Sequence, residues 1–487
     1  MKIRQRGNHM NRRLFILLTG IGLVLGGCSL APKYQQPQAP IPGQWPQGEA
    51  YKNIQNISGT PTALELGWQD FFTDKQLQKI IKTALDNNLD MRLAALNVER
   101  ARALYGIQRA ELLPAVNAVG AGGKQRRSAD LLSSADPRTI EQYSINLGIT
   151  SWEIDFFGRI RSLKDQALQE YLATEQARRS SQILLVSEVA RVYLTLAADR
   201  ETLKLIQSTL ETQQVAYDLI QRRYEVGLAN KLDLRRAQTP VDAARGDVAR
   251  YTQLVAQDQN ALNLLVGSPV PKEFLPADLS IVNTLKDISP GLSSEVLLNR
   301  PDILQAEHRL KGAYAFICAA RAAFFPRISL TTAFGTASNE LSGLFSSGNG
   351  TWNFAPQIAV PIFDARTWAA YSVSKADREI ALAQYEKAIQ MAFREVADAL
   401  AVQGTIDQQV SAQQSLINAV AETYRLSNKR YTKGIDSYLG VLDAQRSLYT
   451  AQRGLIIVQL TKLANQVRLY AVLGGGGDSA ISVQKTK

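Results

Sequence analysis

The chain has 487 residues, 45% hydrophobic and 20% charged, with two cysteines, two histidines and a net charge of +11. Its mean hydropathy is slightly negative, and no stretch reads as a membrane-spanning helix. Lys2, Arg4, Arg6, Arg12 and Arg13 lie in an acid-free leader, and setting those five aside leaves +6, too little to mark a nucleic-acid binder.

The leader, residues 1–27, has basic residues before a short apolar run from Leu14 to Leu25 and reads as a secretion signal. Its end, Leu25-Gly26-Gly27-Cys28, matches the bacterial lipoprotein pattern, so Cys28 is expected to be the acylated first residue of the mature chain. Ser29 after it fits sorting to the outer membrane. With Cys28 acylated, Cys318 has no disulfide partner and reads as a small buried hydrophobe. Residues 28–62, rich in proline, glutamine and glycine, read as a tether.

A first repeat is expected over 63–267. It opens with a helical region from Asp74 to Leu113, which Pro114 ends. The period then changes from helical to two, giving a β-hairpin over about 114–152. In Gln142-Tyr143-Ser144-Ile145-Asn146-Leu147-Gly148-Ile149-Thr150, every second residue is apolar. Between Arg159 and Gly227 there is neither glycine nor proline, and apolar residues recur every three to four positions, as in Val186, Val189, Ala190, Tyr193, Leu194 and Ala197. That predicts one helix of roughly 100 Å. Gly227 suits a left-handed helix cap and Asn230 can cap the returning helix, so a long helical hairpin spans about 159–267.

Residues 268–300, with Pro269, Pro271, Pro276 and Pro290, read as a linker and equatorial segment, a small domain around the middle of the long helices. The second repeat, 301–474, has a β-hairpin over about 326–361 and a helical hairpin over about 366–473. Gly434 takes the place of Gly227, with Asp436 or Ser437 as the helix cap. The tail, 475–487, follows four glycines and is expected to be flexible.

That the second half repeats the first is visible in Arg223-Tyr224-Glu225-Val226-Gly227 against Arg430-Tyr431-Thr432-Lys433-Gly434. The offset of 207 runs from Arg159 and Arg366 to Gly267 and Gly474, and further upstream Asp90, Arg109 and Pro114 pair with Asp302, Arg321 and Pro326 at 212. One unit is used twice.

Four strands per chain cannot close a barrel, yet nothing in the sequence supplies a second sheet to cover their apolar face. The aromatics Tyr143, Trp152, Trp352 and Phe354 fall near strand ends, as membrane girdles do. Lipid tolerates no open sheet edge, so several chains must pool their strands. No residue constellation suits a nucleophile with its base, a bound metal or a phosphate-cradling loop. A non-enzymatic conduit or scaffold without cofactor is the expectation.

The residues resemble the TolC-like outer-membrane efflux channels, within them the OprM-type lipoproteins, from Cys28 to Gly474. The resemblance rests on Arg300-Pro301-Asp302-Ile303 with Ala306-Glu307 and Phe325-Pro326, on Leu442-Asp443-Ala444-Gln445-Arg446-Ser447, and on Trp152-Glu153-Ile154-Asp155-Phe156-Phe157-Gly158-Arg159. It implies a mainly α fold with a small membrane β share: a homotrimer whose twelve strands form one barrel in outer-membrane lipid, above a helical tunnel in the periplasm. It implies a periplasmic gate in which Asp443 rings the constriction and Leu439 forms an apolar ring beside it, with Asp233 and Tyr431 joined in a supporting link. Where some members carry an arginine and a second acid, this chain has Asp436 and Gly440. Arg446, three residues after Asp443, reads as its helix partner.

The functional expectation is a passive exit duct for drugs or other small toxic compounds, delivered by an inner-membrane RND-type pump through a periplasmic membrane-fusion adaptor that packs at the tip turns Gly227 and Gly434. The alternatives are a periplasmic coiled-coil adaptor lipoprotein and an outer-membrane duct for type I protein secretion.

Overall fold

The computed structural model describes residues 34–52, 60–131, 133, 137–279, 285–291 and 293–477. The expected leader, Cys28 and the chain beyond residue 477 lie outside these.

The described long elements form two series of the same order, the first with one extra helix at its start. The first is α1 (Lys75–Asn87), α2 (Leu89–Ala110), β1 (Val116–Arg126), β2 (Thr139–Ile154), α3 (Arg159–Glu225) and α4 (Lys231–Val266). The second is α5 (Pro301–Ala322), β3 (Arg327–Ser338), β4 (Gly350–Ala359), α6 (Ala365–Thr432) and α7 (Tyr438–Val472). Their lengths match: 22 residues in α2 and α5, 67 and 68 in α3 and α6, 36 and 35 in α4 and α7. The duplication legible in the sequence is thus a duplication of elements.

The first helical region divides at Asn88. The helical region expected from Asp74 to Leu113 is two helices, because Asn88 takes an extended backbone, donates from Nδ2 to the Leu265 carbonyl at 2.9 Å and accepts from the Met91 amide at 3.0 Å. Asn88 thereby ends one helix and caps the next. Of the tail expected to be flexible over 475–487, residues 475–477 lie among the described ones. Gly474, Gly475 and Gly476 are buried, and Gly475 lies against the Tyr470 ring.

The start of α3 is fixed by Asp155, whose carboxylate accepts from the Ile160 and Arg161 amides at 3.2 and 2.8 Å. Two of the first unpaired helix donors are satisfied in this way. Arg159 forks onto Glu153 at 2.9 and 2.8 Å. An eighteen-residue stretch of α3 is apolar enough to cross a membrane, but 67% of it is buried within the protein. Core packing explains that apolarity.

The chain divides into two compact units. One comprises described residues up to 38, 98–174 and 306–385; the other 39–97, 175–305 and 386–477.

The first unit contains a single antiparallel sheet of order β1-β2-β3-β4. Its register places Ala118 opposite Leu147, Leu147 opposite Phe334 and Phe334 opposite Trp352. Two residues along, Val116, Ile149, Thr332 and Phe354 form the next row. These rows are uncovered: Leu147 is 56%, Phe334 72%, Trp352 79% and Phe354 63% exposed. A bulge between Ile149 and Trp152 places Ser151 at φ 53°, its amide donating to Thr331 Oγ1 at 3.1 Å. In the same unit Tyr34 packs edge-on against Tyr314 and donates to Glu307 Oε1 at 2.8 Å.

The second unit holds the larger core, with Phe71, Phe72, Ile81, Tyr193, Leu262 and Tyr470 all fully buried or nearly so. Phe71 stacks on Tyr470 with ring centroids 4.0 Å apart, and the Tyr470 hydroxyl donates to the Leu66 carbonyl at 2.6 Å. Trp45 stacks on Phe393 at 5.6 Å and its indole donates to the Gly291 carbonyl at 3.1 Å. Just beyond, the backbone at Ala50 crosses α6 at Gly404, where a Cβ would stand 2.1 Å from the Ala50 carbonyl oxygen. The glycine that interrupts the apolar pattern of α6 is the notch through which the amino-terminal segment passes.

Candidate functional site

The two helical hairpins turn by the same device. At the end of α3, Gly227 has φ 78°, its amide donates to the Tyr224 carbonyl at 3.0 Å, and the Leu228 amide donates to the Arg223 carbonyl at 2.7 Å. At the end of α6, Gly434 has φ 71°, its amide donates to the Tyr431 carbonyl at 2.9 Å, and the Ile435 amide to the Arg430 carbonyl at 3.0 Å. Both are Schellman closures, which need a residue at positive φ. Nothing stands within 4 Å of a Cβ at either glycine, so conformation alone requires them.

The returning helices start differently. Asn230 accepts from the Asp233 amide at 2.8 Å and caps α4. Before α7, Ser437 holds the cap position without a side-chain cap bond, and Asp436 pairs with Arg430, its Oδ1 accepting from Nη2 at 3.2 Å. Burial pushes the Tyr438 hydroxyl up to about 12.

In α7, Leu439, Asp443 and Arg446 follow at intervals of four and three and share one face. The opposite face is packed: Val441, Ala444 and Gln445 are all buried. Leu439 is 50% exposed, an apolar side chain beside an acid on an uncovered surface. Asp443 Oδ1 accepts from Arg446 Nη2 at 2.5 Å, as the three-residue spacing led us to expect. Both partners are largely exposed, so the pair itself adds little to stability. Leu439, Asp443 and Arg446 border a cavity of about 400 Å³ together with Ile206, Arg236 and Pro240.

Within one protomer, the residues of the expected supporting link have other partners. The Tyr431 hydroxyl accepts from Arg223 Nη1 at 2.8 Å, and the described bond of Asp233 is the one from its amide to Asn230. The reason is geometric: Arg223 lies on the turn before Gly227 and reaches the second tip, while Asp233 sits in the first turn of α4.

Arg300 is a residue whose role the sequence did not disclose. Its side chain is 11% exposed. Nε and Nη2 donate to Asp302 at 3.0 and 2.8 Å, Nη2 also to Glu395 at 3.0 Å, and Nη1 to the Val472 carbonyl at 2.7 Å. Burial works against its charge, but the Asp302 and Glu395 carboxylates prevail and hold its pKa above the ordinary value. A cation at the last carbonyls of α7 is favoured by the helix dipole. The motif Arg300-Pro301-Asp302 showed the pair, but not Glu395 or Val472, which are distant in sequence.

Among the described residues no group of three or more His, Cys, Asp or Glu could hold a metal ion.

Comparison with known proteins gives a consistent result. The family described as Outer membrane efflux protein matches residues 80–268 and 292–475. The chain is 49% identical over 455 residues to the probable efflux pump outer membrane protein TtgC of Pseudomonas putida, covering 93% of each chain. It is 41% identical over 465 residues to the outer membrane protein OprJ of Pseudomonas aeruginosa, covering 95% of this chain and 96% of that one. Among solved structures, the open state of the Neisseria gonorrhoeae MtrE outer membrane channel superposes with a TM-score of 0.83 at 37% identity, over 93% of this chain and 99% of that one.

Proposed function

The chain belongs to the outer membrane efflux protein family, and from that membership we propose how its own residues make the duct. It is the outer-membrane channel component of an efflux system and extends into the periplasm. Three copies place their four strands side by side, so that twelve close one barrel in lipid. The observation that carries this is the sheet. Its apolar rows through Leu147, Phe334 and Trp352 are uncovered, and β1 and β4 have no further strand partner among the described residues. Lipid would cover the rows, and neighbouring copies the edges. The exposed stripe of Leu89, Leu93, Leu96, Leu104 and Ile107 on α2 supports the same arrangement.

At the periplasmic end, Leu439 and Asp443 from each copy would converge on the axis. A ring of three carboxylates concentrates negative potential, favouring cations and impeding anions. The tips at Gly227 and Gly434 are where an adaptor's helices would pack, and docking there shifts the population toward the open state. Acyl chains on Cys28 would add a second hold on the outer membrane. The pump supplies the energy. Relatives named for toluene and antibiotic efflux support a cargo of small organic compounds.

The uncovered sheet speaks against the coiled-coil adaptor reading, which needs strands packed into compact soluble domains. Reconstitution tests the proposal: the purified chain should migrate as a heat-modifiable trimer in detergent and give one conductance step per trimer in planar bilayers. A dispersed monomer in plain buffer would overturn it.

A further inference from the structure

At the foot of the sheet, β4 passes into α6 through a segment that stays apolar and uncovered. Val360 and Ile362 continue the two-residue alternation of Phe354 and Ile358, and they are 52% and 91% exposed. Phe363 and Trp368 are exposed beside them.

An aromatic and cationic cluster adjoins this segment. Phe324, just past the end of α5, meets Trp368 edge-on with ring centroids 4.8 Å apart and Tyr371 edge-on at 5.9 Å. Arg321 of α5 donates from Nε to the Tyr371 hydroxyl at 3.2 Å, and Lys375 Nζ stands 4.4 Å from the centre of the same ring. Two cations thus converge on one phenol. The nearest acids along α6 are turned elsewhere: Glu379 pairs with Arg378, and Asp377 borders a hollow with Gln108 of α2, Gln166 of α3 and Arg309 of α5. At 3.6 residues per turn, Trp368 and Lys375 lie about 180° and about 200° around α6 from Asp377, on the side away from that hollow.

The duplication supplies an internal comparison. At the offset of 207, Trp368, Tyr371 and Lys375 correspond to Arg161, Lys164 and Leu168. There Arg161 pairs with Asp155 at 3.2 Å and Lys164 with Asp165 at 3.0 Å. The first copy builds the same junction from closed ion pairs, so the repeated architecture does not require aromatic rings with cations over them.

We propose that Arg321, Trp368, Tyr371 and Lys375 form a headgroup site for an anionic phospholipid of the periplasmic leaflet, the phosphate meeting the two cations and the acyl chains lying along Ile362 and the apolar rows of the sheet. The inference rests on the reading that lipid covers those rows. Two observations name the occupant. The uncovered column through Phe354, Ile358, Val360 and Ile362 runs without a break from the sheet to the cluster, so one molecule with a long apolar part and a polar end fits both. The polar end must be negative, because Arg321 and Lys375 meet there. Rings such as Trp368 and Tyr371 belong at the level of the headgroups, apolar body toward the chains and polar tip toward water.

The full-length protein in neutral detergent is titrated with phosphatidylglycerol or phosphatidylcholine carrying brominated chains, and tryptophan fluorescence is followed. The part of the signal lost in Trp368→Phe reports the cluster, and the remainder includes Trp352 on the sheet. Phosphatidylglycerol should quench the Trp368 part at a mole fraction about tenfold or more below that needed with phosphatidylcholine. Lys375→Gln and Arg321→Gln should each cut the preference about fivefold, and Lys375→Arg should keep it. Lys375 is exposed, so its glutamine variant decides even if Arg321→Gln does not fold. Equal quenching of Trp368 by the two lipids, or a preference that Lys375→Gln leaves unchanged, overturns the proposal and leaves the lipid-facing sheet standing. Relief of the preference by inorganic phosphate at constant ionic strength overturns it too, in favour of a free anion. If neither lipid quenches the remainder that includes Trp352, the lipid-facing reading falls instead, and this proposal with it.

Discussion

Arg223 and Tyr431 join the two tips by a 2.8 Å hydrogen bond, and they come from the same Arg-Tyr pair of the repeated motif, the arginine from the first copy and the tyrosine from the second. One exposed bond of this kind contributes on the order of 1 kcal/mol, or about a fivefold shift between two states. Arg223→Ala and Tyr431→Phe should therefore each raise basal single-channel conductance events severalfold, and the double variant no further. Additive effects, or none, would show that the bond does not restrain the gate.

Asp443 and Leu439 share the uncovered face of α7. Asp443→Asn should lower cation selectivity, read as a smaller reversal potential in a potassium chloride gradient. Leu439→Ala should widen the constriction and raise basal conductance. An unchanged reversal potential in Asp443→Asn would place the selectivity ring elsewhere.

Arg300 is buried with two carboxylates and a helix-terminal carbonyl. Its removal leaves the partly exposed Asp302 and Glu395 without their charge partner and the Val472 carbonyl without its donor, which costs about 1–3 kcal/mol. Arg300→Ala should lower the melting temperature well below that of an exposed control such as Arg425→Ala. A shift no greater than the control's would mean that Arg300 is not the clamp on α7.

Phe334 stands in the middle of an uncovered row, between Leu147 and Trp352. On a lipid-facing surface an arginine there costs about 2–4 kcal/mol. Phe334→Arg should reduce the heat-modifiable trimer in outer-membrane fractions, while Phe334→Leu should not. Equal assembly of both would indicate that this face does not meet lipid.

The two longest helices were legible because α3 has neither glycine nor proline and α6 only Gly404, and apolar residues every three to four positions in such runs permit little else. The strands were legible from the switch to period two, and the tips from Gly227 and Gly434. Asn88 was not, since an asparagine inside a helical pattern breaks the helix only when something, here the Leu265 carbonyl, rewards the extended backbone. Nor was the partner of Tyr431. Which cation or acid reaches a hydroxyl across two turns is decided by side-chain length and by the angle at which the hairpins end, and neither is written in spacing. The family resemblance points to Leu439 and Asp443, and helical intervals of four and three place them on one face with Arg446.

The sheet whose first and last strands, β1 and β4, are left unmatched has a consequence for the cell. In a cylinder completed by three copies, every seam is built from two different polypeptides, so one molecule with a spoiled border disables its two sound companions. If intact and spoiled molecules are made in equal amount and mix at random, only about one assembly in eight escapes. A damaged allele on a plasmid should then silence most of the export of a healthy chromosome.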